Sequence, residues 1–167
     1  MGLIRIMSMY KRNFCILIAI LFALSCGNYK SSDRMVKSDS STSEGEYNMF
    51  LLVGTYTEKG SSGIYVYEMD SVSGKTKLAN QIEISNPSYL AVSNNNRFVY
   101  SVSEENNIYT SVISAFAFNA LSGKLTLLNQ EKTGGTSPCF LAIDDSVKFA
   151  VVANYGGSLT AFSLAKD

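Results

Sequence analysis

Glu104 is the residue of this 167-residue chain best suited to chemistry. It follows the β-rich run Phe98–Val102, and its carboxylate could take a proton from water or bind ligand hydroxyls. Beside Glu105 it could equally be a solvated carboxylate at a strand end. Asn154 and Tyr155 stand at the matching point about 50 residues later. There an amide and a phenol could hydrogen-bond a ligand, or serve a turn and its packing. Other chemistries lack their parts. Ser88 and Ser137 each adjoin a proline, but no base accompanies either, which argues against a nucleophilic serine. Cys139 lies among apolar residues, so a small buried side chain is expected there rather than a reactive thiolate. Gly156-Gly157-Ser158 reads as a turn, and without a following helix it is no phosphate loop. The chain contains no His, and its three Cys lack zinc-type spacing.

These positions match because the chain repeats itself. Asn86-Pro87-Ser88-Tyr89-Leu90-Ala91-Val92 returns as Ser137-Pro138-Cys139-Phe140-Leu141-Ala142-Ile143, with the prolines 51 positions apart. Ser73-Gly74-Lys75 returns as Ser122-Gly123-Lys124, and Val66-Tyr67, Ala115-Phe116 and Ala161-Phe162 mark one point of three units. A period near 50 built from strand-like runs is the pattern of β-propeller blades. Residues 48–167 at that period make roughly two and a half blades, whereas a propeller closes with about four to eight. The expectation is therefore the N-terminal part of a longer propeller. Residues 48–167 alone are expected not to unfold cooperatively, because the last blade would leave an apolar edge open.

The class is all-β. Phe50–Val53 is expected to run on through Gly54-Thr55-Tyr56-Thr57 to a turn at residues 59–63. Ile64–Met69 follows, rich in aromatic and β-branched residues. Asp70–Lys75 is a hairpin turn, where Gly supplies positive φ and Asp or Ser bonds the local backbone. Leu78–Ile84, Tyr89–Val92 and Phe98–Val102 complete the first unit as read from the repeat. Val112–Phe118, Leu125–Asn129, Phe140–Ile143 and Phe149–Val152 form the second, and Ser158–Leu164 opens the third. On this division Glu104 follows the first blade and Asn154 ends the second.

The N-terminus has a different character. Arg5, Lys11 and Arg12 precede the apolar run Phe14–Leu24, which is too short to span a bilayer comfortably. Ala23-Leu24-Ser25-Cys26 then resembles a bacterial lipobox, which would make residues 1–25 a lipoprotein signal peptide and Cys26 a lipidated N-terminus. An uncleaved signal anchor is the alternative. Residues 26–47, with six Ser between Ser31 and Ser43, read as a flexible tether. Without residues 1–25 the chain carries 11 basic and 14 acidic residues. With no basic stripe, nucleic acid is not an expected partner. The expectation is an exported lipoprotein, anchored to a membrane at a periplasmic or outer-membrane face.

Gly54-Thr55-Tyr56-Thr57, Gly63–Tyr67, Asn86–Leu90, Val99–Glu104, Val112–Phe116, Gly123-Lys124-Leu125, Ser137-Pro138-Cys139 and Ala153-Asn154-Tyr155 occur in an order that resembles the lactonase family of seven-bladed propellers (6-phosphogluconolactonase-like). The resemblance covers essentially all of Met49–Asp167. It implies hydrolysis of a sugar lactone, a carboxylic ester, by water without metal or organic cofactor. Glu104 would be the catalytic candidate and Asn154 and Tyr155 the sugar-binding ones. One departure stands out: the family usually has His after the Pro-Cys pair, and here Phe140 occupies that place. An exported member would meet an unphosphorylated sugar lactone rather than the phosphorylated one made in the cytoplasm. The alternative is a non-catalytic exported propeller that binds a glycan or a protein.

Overall fold

The structure, a computed structural model, describes residues 5–6 and 49–165. Cys26, the tether of residues 26–47 and the rest of the leader lie outside the described residues. Among the described residues there is no helix. The first sheet holds β1 (Arg5–Ile6), β2 (Met49–Gly54), β3 (Gly63–Met69) and β4 (Thr76–Glu83) in that order. The second holds β5 (Pro87–Val92), β6 (Phe98–Ser103), β7 (Val112–Phe118) and β8 (Leu125–Lys132). The third holds β9 (Pro138–Ile143), β10 (Phe149–Asn154) and β11 (Ser158–Ser163). All neighbours run antiparallel, and β1 pairs Arg5 with Gly54 in the place that β5 takes beside β6.

The three sheets stack face to face. Strand alternation turns every second residue to one neighbour and the rest to the other. From β6, Val99 faces the first sheet and packs with Leu52, Ile64, Val66, Leu90, Phe116 and Leu125. Tyr100 and Val102 face the third sheet and pack with Ile113, Leu141, Ala150 and Val152. Each fully buried Val, Leu or Phe stabilises this stack by about 1.5–3 kcal/mol. β5 lies against both β2 and β9, so the strand that opens the second sheet sits between the first and third sheets. On the far face of the third sheet Phe149, Val151 and Leu159 are exposed.

The sheet boundaries differ from those read off the repeat. β4 ends one unit of hydrogen bonding and β5 begins another, so Glu104 follows β6 of the second sheet and Asn154 ends β10 of the third. A sequence period fixes a repeat length and not its origin. The origin here is set by the link between β4 and β5, where Asn86 takes φ 41° and turns the chain into the next sheet. β2 also stops at Gly54, earlier than expected. Thr57 leaves the ladder because its amide donates to Asn86 Oδ1 at 2.8 Å.

The repeat extends to backbone detail. β3 slips against β4 between Val66 and Tyr67, and β7 slips against β8 between Ala115 and Phe116, at the same point of the unit. Asp70 and Asn119 cap the same hairpin turn, accepting the amides of Val72 and Leu121 at 2.8 and 2.9 Å. The turns at residues 93–97 and 144–148 also match, with left-handed residues at Asn96 (φ 56°) and Val147 (φ 53°). In the second, the Ser146 hydroxyl and the Phe149, Lys148 and Ser146 amides hold the Asp144 carboxyl down to a pKa of about 2.

A β-branched side chain tolerates left-handed backbone poorly, while Asn adopts it readily. Val147→Asn is therefore expected to stabilise the protein by about 1 kcal/mol. A urea titration of the full-length protein should show a higher midpoint at unchanged slope. An unaltered or lower midpoint would show that Val147 is held there by packing.

Candidate functional site

Every residue singled out for chemistry lies at one end of the sheets, where β2, β6 and β10 finish and β5 and β9 begin. Asn86 is the hub of that end. It is buried, it precedes Pro87, and its left-handed φ is unusual for a residue before proline. Its Oδ1 accepts the Thr57 amide at 2.8 Å and the Thr57 hydroxyl at 3.2 Å. Its carbonyl accepts the amides of Ser88 at 2.7 Å and Glu104 at 2.9 Å. Its Nδ2 donates to Glu105 Oε1 at 2.9 Å. One side chain thus ties the loop after β2 and the loop after β6 to the start of β5.

The same network separates the two adjacent carboxylates. Glu105 is held in place: Oε1 also accepts the Ser85 hydroxyl, and its carbonyl accepts Ser111 Oγ and the Ser137 amide, both at 2.7 Å. Glu104 has a different partner, since the Tyr56 hydroxyl donates to its Oε2 at 2.8 Å from the loop of the first sheet. Both carboxylates are half-buried; Glu105 is tied to Asn86 and Ser85, and Glu104 to Tyr56.

Ser137 repeats the Asn86 geometry at φ 51° and links the remaining candidates. Its amide donates to Glu105, and its carbonyl accepts the Tyr155 amide at 2.8 Å. Glu104 and Tyr155 thereby stand on successive loops bridged by one residue. Tyr155 is 85% exposed, with its phenol displayed at this end. Asn154 is only 5% exposed. Its Nδ2 donates to Ser158 Oγ at 3.0 Å, its Oδ1 has no partner among the described residues, and its amide sits where a Cβ on Gly135 would have to be. It closes the end of β10 onto β11 and is not displayed as Tyr155 is.

Below this rim lie two aromatic rings. Tyr89 of β5 and Phe140 of β9 meet with ring centroids 4.9 Å apart, and Phe140 is 46% exposed. Cys139, beside it, is half-buried, with Sγ 3.8 Å from the Ala153 carbonyl. Two concavities of about 440 and 450 Å³ lie at the end of β4, around residues 83–85, and neither is lined by Glu104, Tyr155 or Phe140. Among the described residues no three His, Cys, Asp or Glu side chains gather as a metal site. Tyr56, Asn86 and Tyr89 were not evident as site residues in the sequence. Asn86 carried a signal, an Asn before Pro at the repeated position, but Tyr56 meets its partner 48 residues away and carried none.

Comparison with known proteins agrees with this architecture. A family model described as "Lactonase, 7-bladed beta-propeller" matches residues 50–167. A 6-phosphogluconolactonase of Bacillus subtilis is 36% identical over 119 residues, which are 69% of this chain and 33% of that protein. A candidate 6-phosphogluconolactonase of solved structure from Bacteroides fragilis is 40% identical, with a TM-score of 0.69 over 75% of this chain and 35% of that one. A periplasmic gluconolactonase from Pseudomonas aeruginosa is 30% identical, with a TM-score of 0.66 over 71% of this chain and 35% of the other. The chain spans about a third of the length of the curated relatives it matches. With its repeats, stacked antiparallel sheets and matched family model, it belongs to the lactonase family of seven-bladed β-propellers.

Proposed function

We propose that the full-length protein hydrolyses a sugar lactone, with Glu104 as general base. The observation that carries this reading is the Tyr56–Glu104 pair: one carboxylate oriented by a phenol at the loop end of the stack while its neighbour is tied into the Asn86–Ser85 network. Glu104 takes a proton from water as the water oxygen bonds to the lactone carbonyl carbon. The tetrahedral oxyanion then collapses, the bond from that carbon to the ring oxygen breaks, and the proton passes to the leaving alkoxide. Tyr155 would hydrogen-bond the sugar hydroxyls. The names of the Bacillus subtilis and Pseudomonas aeruginosa relatives support a gluconolactone-type substrate. A pH-stat assay of the full-length protein on glucono-δ-lactone and related lactones tests it. A rate no faster than spontaneous hydrolysis on all of them would defeat the reading.

A second reading is a non-catalytic propeller that binds a glycan or a protein partner at the same end. Phe140 in the family's His position favours it, since a phenyl ring neither accepts nor donates a proton.

The apolar run Phe14–Leu24 and the motif ending at Cys26 support export and anchoring, with cleavage removing the Arg5–Ile6 strand from the first sheet, and the periplasmic relative is consistent with an unphosphorylated substrate. Cys26→Ser is expected to move nearly all of the protein from the detergent phase to the aqueous phase in Triton X-114 partitioning. Loss of labelled palmitate from the variant would accompany the shift. A variant that stayed with the detergent would instead favour the uncleaved signal anchor.

A further inference from the structure

We propose that Tyr89 and Phe140 form an aromatic ledge that stacks against the C–H face of a pyranose ring, so that the site selects a closed ring over an open-chain sugar acid. This deepens the reading above and rests on it for the sugar. The two residues occupy the same position of successive repeats, 51 apart, on the first strands of neighbouring sheets. Their rings touch at 4.9 Å with planes tilted by 60°. Tyr89 pairs across the ladder with Val102 and Phe140 with Ala153, so each ring lies two residues below Glu104 and Tyr155 respectively. Two residues of strand are roughly 7 Å, about the width of a sugar ring.

Exposure at this position belongs to the repeat and not only to the open face of the third sheet. The second sheet is covered by the third, and Tyr89, packed against the core between them, remains partly exposed. Phe140 holds the equivalent place in its own sheet. Flat aromatic faces carry partial negative charge and attract the weakly positive C–H groups of a ring, while the hydroxyls point outward to polar partners. Glu104 and Tyr155 supply such partners above the ledge. An open-chain acid has no rigid C–H face and gains little from the same surface.

The test measures binding of two probes to the full-length protein by NMR titration. One is 1,5-anhydro-D-glucitol, a ring with no bond to hydrolyse, and the other is open-chain sodium D-gluconate. Phe140→Leu keeps apolar volume and removes the flat face, and is expected to weaken the ring probe roughly tenfold while changing gluconate by less than about twofold. Phe140→Tyr should bind the ring as the parent does, and the thermal midpoint of each variant reports folding. Ring binding unchanged in Phe140→Leu, or no ring binding by the parent protein, overturns the ledge. If lactones are hydrolysed and Phe140→Leu leaves KM unaltered, the ledge fails and the enzyme stands. If nothing is hydrolysed but ring binding depends on Phe140, the ledge stands and the catalytic reading fails.

Discussion

Glu104→Gln in the full-length protein is expected to lower kcat for lactone hydrolysis by ~10²–10⁴-fold, the usual worth of a positioned general base. The substitution is nearly isosteric. The amide oxygen of Gln can still accept the Tyr56 hydroxyl, which now sits 2.8 Å from Oε2, so the loop contact survives. What disappears is the capacity to take a proton from water, and KM should change little. Glu105→Gln provides the contrast. Its carboxylate accepts Asn86 Nδ2 and the Ser85 hydroxyl, so that change should lower the thermal midpoint more than it lowers kcat. A kcat for Glu104→Gln within threefold or so of the parent, under conditions where Glu105→Gln removes activity, would exchange the two roles.

The division between the two glutamates shows where sequence reading stops. Strands and turns were legible because their causes are local. Alternating aromatic and β-branched residues mark Gly63–Met69 and Val112–Phe118, and Gly74 and Gly123 mark the turns, each at a φ near +70°. The origin of the sheets was not legible, because the link at Asn86 looks the same whether it joins two strands of one sheet or passes between sheets. The preference for Glu104 over its neighbour rested on nothing in the sequence that separated them. The separating contacts come from Tyr56 and Asn86, 48 and 19 residues away. Phe140 illustrates the reverse case. Against the family it looked like the loss of a functional group, whereas against the chain's own repeat it is the partner of Tyr89. The repeat already contained that reading, and only the ring contact gave it meaning.

Gly54→Ala should be among the most damaging single-methyl changes in the described region, because what it would strike cannot move aside. A Cβ at Gly54 would lie 1.9 Å from the Pro87 carbonyl oxygen and 3.2 Å from the Pro87 carbonyl carbon. Both are backbone atoms, at a point where Asn86 is already left-handed and the β5–β6 ladder shifts register between Pro87 and Tyr89. No rotamer relieves such a clash; the first and second sheets must separate at their inner end. The cost is expected to be about 3 kcal/mol, the upper part of the range for overpacking. The full-length protein should then lose roughly 4 °C of thermal midpoint. Gly60→Ala serves as the control, since at φ +89° it is strained but has open space around its Cβ. It should cost only about 1 kcal/mol. Activity should follow the clash and not the strain, because Gly54 is two residues before Tyr56 and its displacement draws that hydroxyl away from Glu104. Equal midpoints for the two variants would mean that the sheets do not meet as closely at Pro87 as described. A large midpoint loss with full kcat would detach Tyr56 from the work of positioning Glu104.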